Sequence, residues 1–257
     1  MKKIFKTFLK YYLKYITKYV LMIHRPTVIA IAGSTNKTFI KDEVNRCLRA
    51  AGKSVRSNPR SFNTEIGLPL AILGLSSGFN SYSAWLPIIA QVAKSVFKAD
   101  FPQHLVLELG VADAGDMKYL LSIIEPDISI IGDITQRYLE GFADMDELVG
   151  EYELLVRRTG ESGLVILNND NRRVRELKSL TRARFVTFGL EPGADWQAKA
   201  VKTDVSGQTF TLGSNTVRTA GRGRHHISAS LVGLIIDHHV GQKQKIQENL
   251  LRPEASR

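Results

Sequence analysis

Cysteine is almost missing. Cys47 is the single one in 257 residues, which excludes a disulfide framework and any multi-cysteine metal site. It also predicts a reducing compartment, the cytoplasm. Long apolar runs are missing as well: no stretch reaches the roughly 18–20 residues that a membrane span requires. No internal repeat or low-complexity linker interrupts the chain. Acidic residues are absent from the first 25 positions, which hold Lys2, Lys3, Lys6, Lys10, Lys14, Lys18 and Arg25. Seven of the ten net positive charges sit there, which leaves +3 for everything else. The basicity therefore belongs to a leader, and the body gives no reason to expect nucleic-acid binding. With 44% hydrophobic and 23% charged residues the chain can bury a core, so global disorder is excluded. Its length fits one large domain or a domain and a half.

The leader, residues 1–25, reads as an amphipathic helix. Ile4, Phe5, Phe8, Leu9, Tyr12, Leu13, Ile16, Val20 and Ile23 recur at steps of three and four, with lysines filling the opposite side. It lacks the continuous apolar stretch and small-residue cleavage site of a signal peptide. Two readings stand. Residues 2–23 lie on an anionic membrane surface, peripherally on the inner face of the cell membrane, or they pack on their own domain or a partner.

From residue 26 to 257, short apolar runs alternate with helical patterns. Strands are expected at Thr27–Ala32, Leu105–Leu109, Ile128–Ile134, Leu164–Leu167 and Phe185–Phe188. Helices are expected at Thr38–Ala51, Ala84–Phe97, Asp116–Ile124, Met145–Arg158 and Asn171–Leu180. The alternation predicts an α/β domain, a mostly parallel sheet with helices on both faces. Residues 198–220 instead alternate and turn at Ser206-Gly207 and Gly213-Ser214-Asn215, as antiparallel hairpins do. Two closing helices are expected, His226–Val240 and Lys243–Leu251.

The stretch "IAIAGSTNKTFIK" carries the first chemical signal. A strand, a glycine, a polar turn and Lys37-Thr38 opening a helix are the parts of a phosphate-binding loop, whose amides and helix N-terminus face an anion. The generic pattern G-x-x-x-x-G-K-[ST] fails at Ile31 and Asn36. Asparagine tolerates positive φ well, so Asn36 is compatible with the loop shape. A plain strand-to-helix turn with a solvated lysine is the competing reading of this motif alone.

Further motifs follow in order: "NPRSFNTEIGLPLAILGL", "LVLELGVADAGDMKYLLSIIEPDISIIGDITQRYLEGF", "DELVGEYELL", "GLVILNNDN", "FVTFGL" and "GRGRHHISASLVGLIIDHHVG". Together they resemble the central, ATP-binding domain of the Mur ligase family, and within it the branch that adds D-alanyl-D-alanine to a muramoyl-tripeptide. The resemblance covers about residues 26–257. It implies a P-loop-type fold that binds ATP and Mg²⁺ in peptidoglycan precursor synthesis. There a substrate carboxylate becomes an acyl phosphate that an amine attacks. By resemblance, Gly33, Ser34, Thr35, Asn36, Lys37 and Thr38 form the phosphate loop, Lys37 being the phosphate lysine and Thr38 a Mg²⁺-binding hydroxyl. Glu108 is the carboxylate that helps hold Mg²⁺; its bland reading is a strand-end carboxylate in solvent. Asn63, Thr64 and Glu65 lie beside the nucleotide and the acceptor substrate. Asn168, Asp170, Arg224 and His225 fall on the adenosine side, although His225 also reads as an ordinary helix-start histidine.

Departures from the family pattern are also present. Tyr138 aligns with a histidine that binds a second Mg²⁺. Glu151 aligns with a catalytic, carbamylated lysine, a one-residue slip putting Tyr152 there, and it keeps the negative charge with shorter reach. His226 and Ala229 replace two asparagines. The family's UDP-sugar and C-terminal domains have no counterpart in this sequence. The expectations are thus a diverged ATP- and Mg²⁺-binding ligase core or a module that has lost ligation. A half-enzyme completed by another chain is a third.

Overall fold

The structure is a computed structural model. It describes residues 3–251 apart from Arg60, Asn80 and Tyr138, and the side chains of Tyr82 and of residues 242–251 are not part of the description. Tyr138, the proposed replacement for a metal-binding histidine, thus lies outside the described residues.

The chain begins with helix α1 (Lys3–His24), then runs β1 (Thr27–Ala32), α2 (Lys37–Ala50), β2 (Val55–Ser57), α3 (Gly67–Leu73), α4 (Tyr82–Lys94) and β3 (His104–Glu108). Next come α5 (Asp116–Leu121), β4 (Ile128–Ile131), α6 (Met145–Arg158), β5 (Leu164–Asn168), α7 (Arg172–Glu176), β6 (Arg184–Gly189) and β7 (Trp196–Gln197). A separate sheet of β8 (Lys199–Asp204), β9 (Gly207–Leu212) and β10 (Asn215–Thr219) precedes α8 (Arg224–Leu251).

Strands β1–β7 form one sheet in the order β2-β3-β1-β4-β5-β6-β7, and every pairing in it is parallel. Its central strands are apolar at nearly every position because helices cover both faces. On one face Ala30, Leu107, Ile131 and Val165 meet Ile72 of α3, Met117 of α5 and Tyr152 and Leu155 of α6. On the other, Ile29, Ile31, Val106, Ile130 and Ile166 meet Ile40, Val44 and Leu48 of α2 and Leu231, Val232 and Ile235 of α8. The order reverses at β1, so the C-terminal ends of β1, β3 and β4 converge where ligands of open parallel sheets bind.

Local chemistry sets the helix ends. Asp144 accepts from the Glu147 amide at 2.9 Å while the Glu147 carboxylate accepts from the Ala143 amide at 2.7 Å, a reciprocal cap that starts α6. Asn171 caps α7 through the Val174 amide.

Several bounds differ from those expected, among them α5, which stops at Leu121, and the end of Ala84–Phe97, which is a 3₁₀ turn; the inner face of the leader takes one of its two readings. The C-terminal segment is one helix, α8, not two. A glycine inside a helix costs only about 1 kcal/mol, so Gly241 is no obligatory break. Strand β4 stops at Ile131 rather than Ile134, because residues 132–135 leave the sheet to bind the loop after β1. The second half of Asn171–Leu180 is a 3₁₀ turn. The leader's inner face packs on its own domain: Leu9, Leu13 and Val20 meet Leu70 and Leu73 of α3 and Trp85, Ile88 and Val92 of α4.

Candidate functional site

Strand β1 delivers the chain to Gly33, whose φ is +140°. A Cβ there would stand 3.1 Å from the Asp133 carbonyl oxygen and 3.3 Å from the Gly132 amide nitrogen. Both the backbone conformation and the approach of the β4 exit therefore require glycine. Asn36 sits at φ 63°, ψ 4° in the left-handed region and immediately precedes α2, as expected of the residue in that position. The loop is tied across to the β4 exit. The Ser34 amide donates to the Asp133 carbonyl at 2.6 Å, and the Thr135 amide donates to Ser34 Oγ at 3.0 Å. Asn36 Nδ2 reaches Asp133 Oδ2 at 3.5 Å.

The first turn of α2 places Lys37 and Thr38 at the mouth of this loop. Lys37 Nζ curls back to donate to the Gly33 carbonyl at 2.7 Å. Burial lowers the pKa of its ammonium, Glu108 opposes that shift, and Arg137 adds to it. Thr38 Oγ1 donates to Glu108 Oε2 at 3.3 Å, joining the end of β3 to the start of α2. These three residues, 71 positions apart at the extremes (Lys37 to Glu108), form one cluster.

Two residues that the motifs did not single out complete it. Lys41, one turn further along α2 and buried, places Nζ 3.3 Å from the same Glu108 oxygen and donates to the Asn58 carbonyl at 3.0 Å. Asn58, also buried, holds Glu108 by the backbone. Its Oδ1 accepts from the Glu108 amide at 2.9 Å and its Nδ2 donates to the Glu108 carbonyl at 2.9 Å. Asn58 follows β2, a three-residue strand too short to show periodicity. Lys41 looks in sequence like any helical lysine, so only its place on the Glu108 side marks it.

Asn63 accepts the Gly110 amide on its carbonyl at 2.9 Å, which brings residues 63–65 beside the turn after β3. Glu65 pairs with Lys6 of α1 at 3.0 Å. Burial pushes its carboxyl pKa up, but Lys6 and the residue's own backbone amide outweigh this and hold it low. Thr64, Glu65, Gly110, Asp113 and Asp116 share a cavity of about 490 Å³ with Lys10 and Tyr119.

On the other side, Asn168 Nδ2 donates to Asp133 Oδ1 at 2.8 Å and its Oδ1 accepts the Asp170 amide at 2.9 Å. Asp170 accepts the Leu190 and Glu191 amides and pairs with Arg224 at 3.1 Å. His225 and His226 form a ring cluster with Phe39, at centroid distances of 4.4 and 4.9 Å. Phe39 directly follows Thr38, so this cluster connects the loop helix to the start of α8. Glu151 stands elsewhere in the hydrogen-bond network. Its two oxygens accept from the Gly115 amide at 2.8 Å and the Met117 amide at 2.7 Å, at the start of α5.

Asp133 faces Asn36 and Asn168 from the β4 exit. Burial raises its carboxyl above the ordinary 3.8; Asn36, Arg224 and Asn168 pull the other way and Asp170 reinforces the rise. A raised folded-state carboxyl favours folding at pH values below its unfolded pKa, and that contribution disappears as pH climbs through the folded value. The charged form is therefore a cost at neutral pH. Asp133→Asn should raise the melting temperature relative to wild type more at pH 7 than at pH 4. An equal difference at both pH values in thermal melts would contradict the assignment.

A parallel sheet with such a loop after its first strand, and a carboxylate ending the adjacent one, defines a P-loop-type α/β domain. The Mur ligase middle domain family matches residues 31–236, and the chain belongs to that family. It is 25% identical over 215 residues to the UDP-N-acetylmuramoyl-tripeptide–D-alanyl-D-alanine ligase of Buchnera aphidicola subsp. Baizongia pistaciae, covering 82% of this chain and 42% of that protein. Among solved structures it is similar in fold to MurF from Acinetobacter baumannii (TM-score 0.72, 18% identity, 89% of this chain and 46% of that one). It is likewise similar to the MurF ligase from Thermotoga maritima in complex with ADP (TM-score 0.71, 20% identity, 89% and 49%). The chain spans less than half the length of these relatives.

Proposed function

We propose that the domain is the ATP- and Mg²⁺-binding part of an amide ligase of peptidoglycan precursor synthesis. The observation that carries this reading is the grouping of Lys37, Thr38 and Glu108 at the ends of β1 and β3, beside a loop in phosphate-binding conformation. The donor set fits the ligands. An ammonium at the N-terminus of a 14-residue helix suits phosphates. The Thr38 hydroxyl and Glu108 carboxylate are adjacent hard oxygen donors, and Mg²⁺ bound with nucleotide needs few protein ligands beyond one or two carboxylates. When bound, ATP with Mg²⁺ would supply the phosphoryl group that activates a substrate carboxylate for attack by an amine.

The chain's own residues prepare that event. Lys37 offsets phosphate charge, most of what phosphoryl transfer asks of a protein. Asn58 and Lys41 hold Glu108 against α2. Asn168, Asp170, Arg224 and His225 form the adenosine side, and Asn63, Thr64 and Glu65 the acceptor side. The relative's substrate, a muramoyl-tripeptide, makes a peptidoglycan precursor the proposed acceptor, and the cytoplasm the proposed location.

A second reading is favoured by Glu151. Its carboxylate, at the position of the family's catalytic lysine, is occupied by two backbone amides. That use supports a module that binds nucleotide without ligating unaided, or a half-enzyme completed by a second chain.

Calorimetric titration with a non-hydrolysable ATP analogue tests the common ground. Binding that requires Mg²⁺ is the expected result. No heat at millimolar analogue, from protein shown to be folded by circular dichroism, would end both readings.

A further inference from the structure

We infer that the outer face of α1 is a docking surface for an anionic lipid bilayer, on which the domain rests without a spanning segment. The helix has two apolar faces, not one. The inner is consumed by packing on α3 and α4. The outer is a stripe of Ile4, Phe8, Tyr11, Tyr15, Tyr19 and Met22, at steps of four, three, four, four and three. Each of the six side chains is between 49% and 84% exposed. The eighteen helical steps from Ile4 to Met22 give the stripe a length of about 27 Å. At its far end Tyr15, Tyr19 and Met22 form one wall of a cavity of about 530 Å³ whose other wall includes Val28 and Ile123. Val28 and Ile123 are themselves buried, and Lys18 and Glu125 also line the cavity, so the exposed apolar stripe ends at Met22.

Charge identifies the occupant. Lys3, Lys10, Lys14 and Lys18 run along one flank of the stripe, and α1 contains no acidic residue. Lys6 is paired with Glu65, but among the described residues no ion pair reaches the other four. Lys10 and Lys14 stand over the Tyr119 ring, at 3.9 and 5.2 Å from its centroid. Burial, then repulsion from Lys18 and Lys10, lowers the pKa of Lys14, a strain that anionic headgroups would relieve. Aromatic and apolar side chains beside a lysine row match a headgroup–acyl boundary. An antiparallel pair of two copies along the same stripe would instead set lysine against lysine. No helix among the described residues is long and apolar enough to cross a membrane. The helix therefore lies in the interface.

The test is co-sedimentation of the full chain with phosphatidylcholine vesicles, with and without phosphatidylglycerol, at low salt. Wild type should bind the mixed vesicles and leave the neutral ones. Phe8→Asp with Tyr15→Asp, and separately Lys3→Glu with Lys18→Glu, should each weaken binding by about tenfold or more. All four side chains are exposed, so melting temperatures should match wild type and separate loss of docking from loss of fold. Equal binding to neutral vesicles, no binding by wild type, or indifference to either double variant would overturn the proposal. So would a wild-type dimer that Phe8→Asp with Tyr15→Asp turns into a monomer.

Discussion

Lys37→Ala should weaken binding of a non-hydrolysable ATP analogue by about 100-fold while the protein stays folded. A hydrogen bond to a charged group contributes about 1.5–3 kcal/mol, and 1.4 kcal/mol is a tenfold change in affinity. An ammonium shared between phosphates therefore reaches about two powers of ten. The cost to the free protein is small, because among the described residues the hydrogen bond that Lys37 donates goes to the carbonyl of Gly33, in its own loop. Losing that neutral-acceptor bond amounts to about 1 kcal/mol. Calorimetry gives the affinity and a thermal melt gives the stability. Equal affinity for both proteins would show that the loop does not hold phosphate.

Lys41→Met should have the larger effect on stability, about 3 kcal/mol. Lys41 is 5% and Glu108 14% exposed at the side chain, so the pair exchanges water for each other and for Asn58 and Thr38. Removing one member of a buried pair leaves the other charge without compensation, which costs roughly 3–5 kcal/mol in dry interiors and less where water reaches. Methionine fills similar space, so the loss reports charge rather than volume. Adding Glu108→Gln should recover part of the stability, because the stranded charge is then gone. Urea unfolding of the four proteins gives the coupling directly. If Lys41→Met cost less than about 1 kcal/mol and Glu108→Gln added to the loss, the pair would not be what holds β3 to α2.

The parallel core was legible because buried central strands such as Thr27–Ala32 and Leu164–Leu167 are continuous apolar runs between helical patterns. Helix α6 has the bounds expected, Met145–Arg158, with Asp144 as its N-cap and two arginines in its last turn. Helix α3 was not anticipated: Pro69 in "GLPL" reads as a turn, yet it falls in the first turn of the helix, where proline's fixed φ is tolerated. The loop was legible through Asn36, because its tolerance of positive φ is a property of the residue alone. Lys41, Asn58 and Asp133 were not, since their roles come from tertiary neighbours 17 to 50 positions away or more. The same limit applied to Glu151. Alignment gave it a position, and only the Gly115 and Met117 amides reveal what its carboxylate holds.

The ties between the β1 loop and the β4 exit bear on the timing of an entropic cost. A glycine-rich loop that orders only around its ligand loses conformational freedom at that moment, about 1–2 kcal/mol for each backbone residue fixed. Here Ser34 and Asn36 are already fastened to Asp133, and Ser34 again to Thr135. The ordering is completed when the sheet assembles, long before any anion arrives. Such a loop receives its ligand as a rigid receptor. The bound and free backbones should be nearly superimposable there, and adjustment on binding is left to side chains, first of all Lys37 swinging away from Gly33.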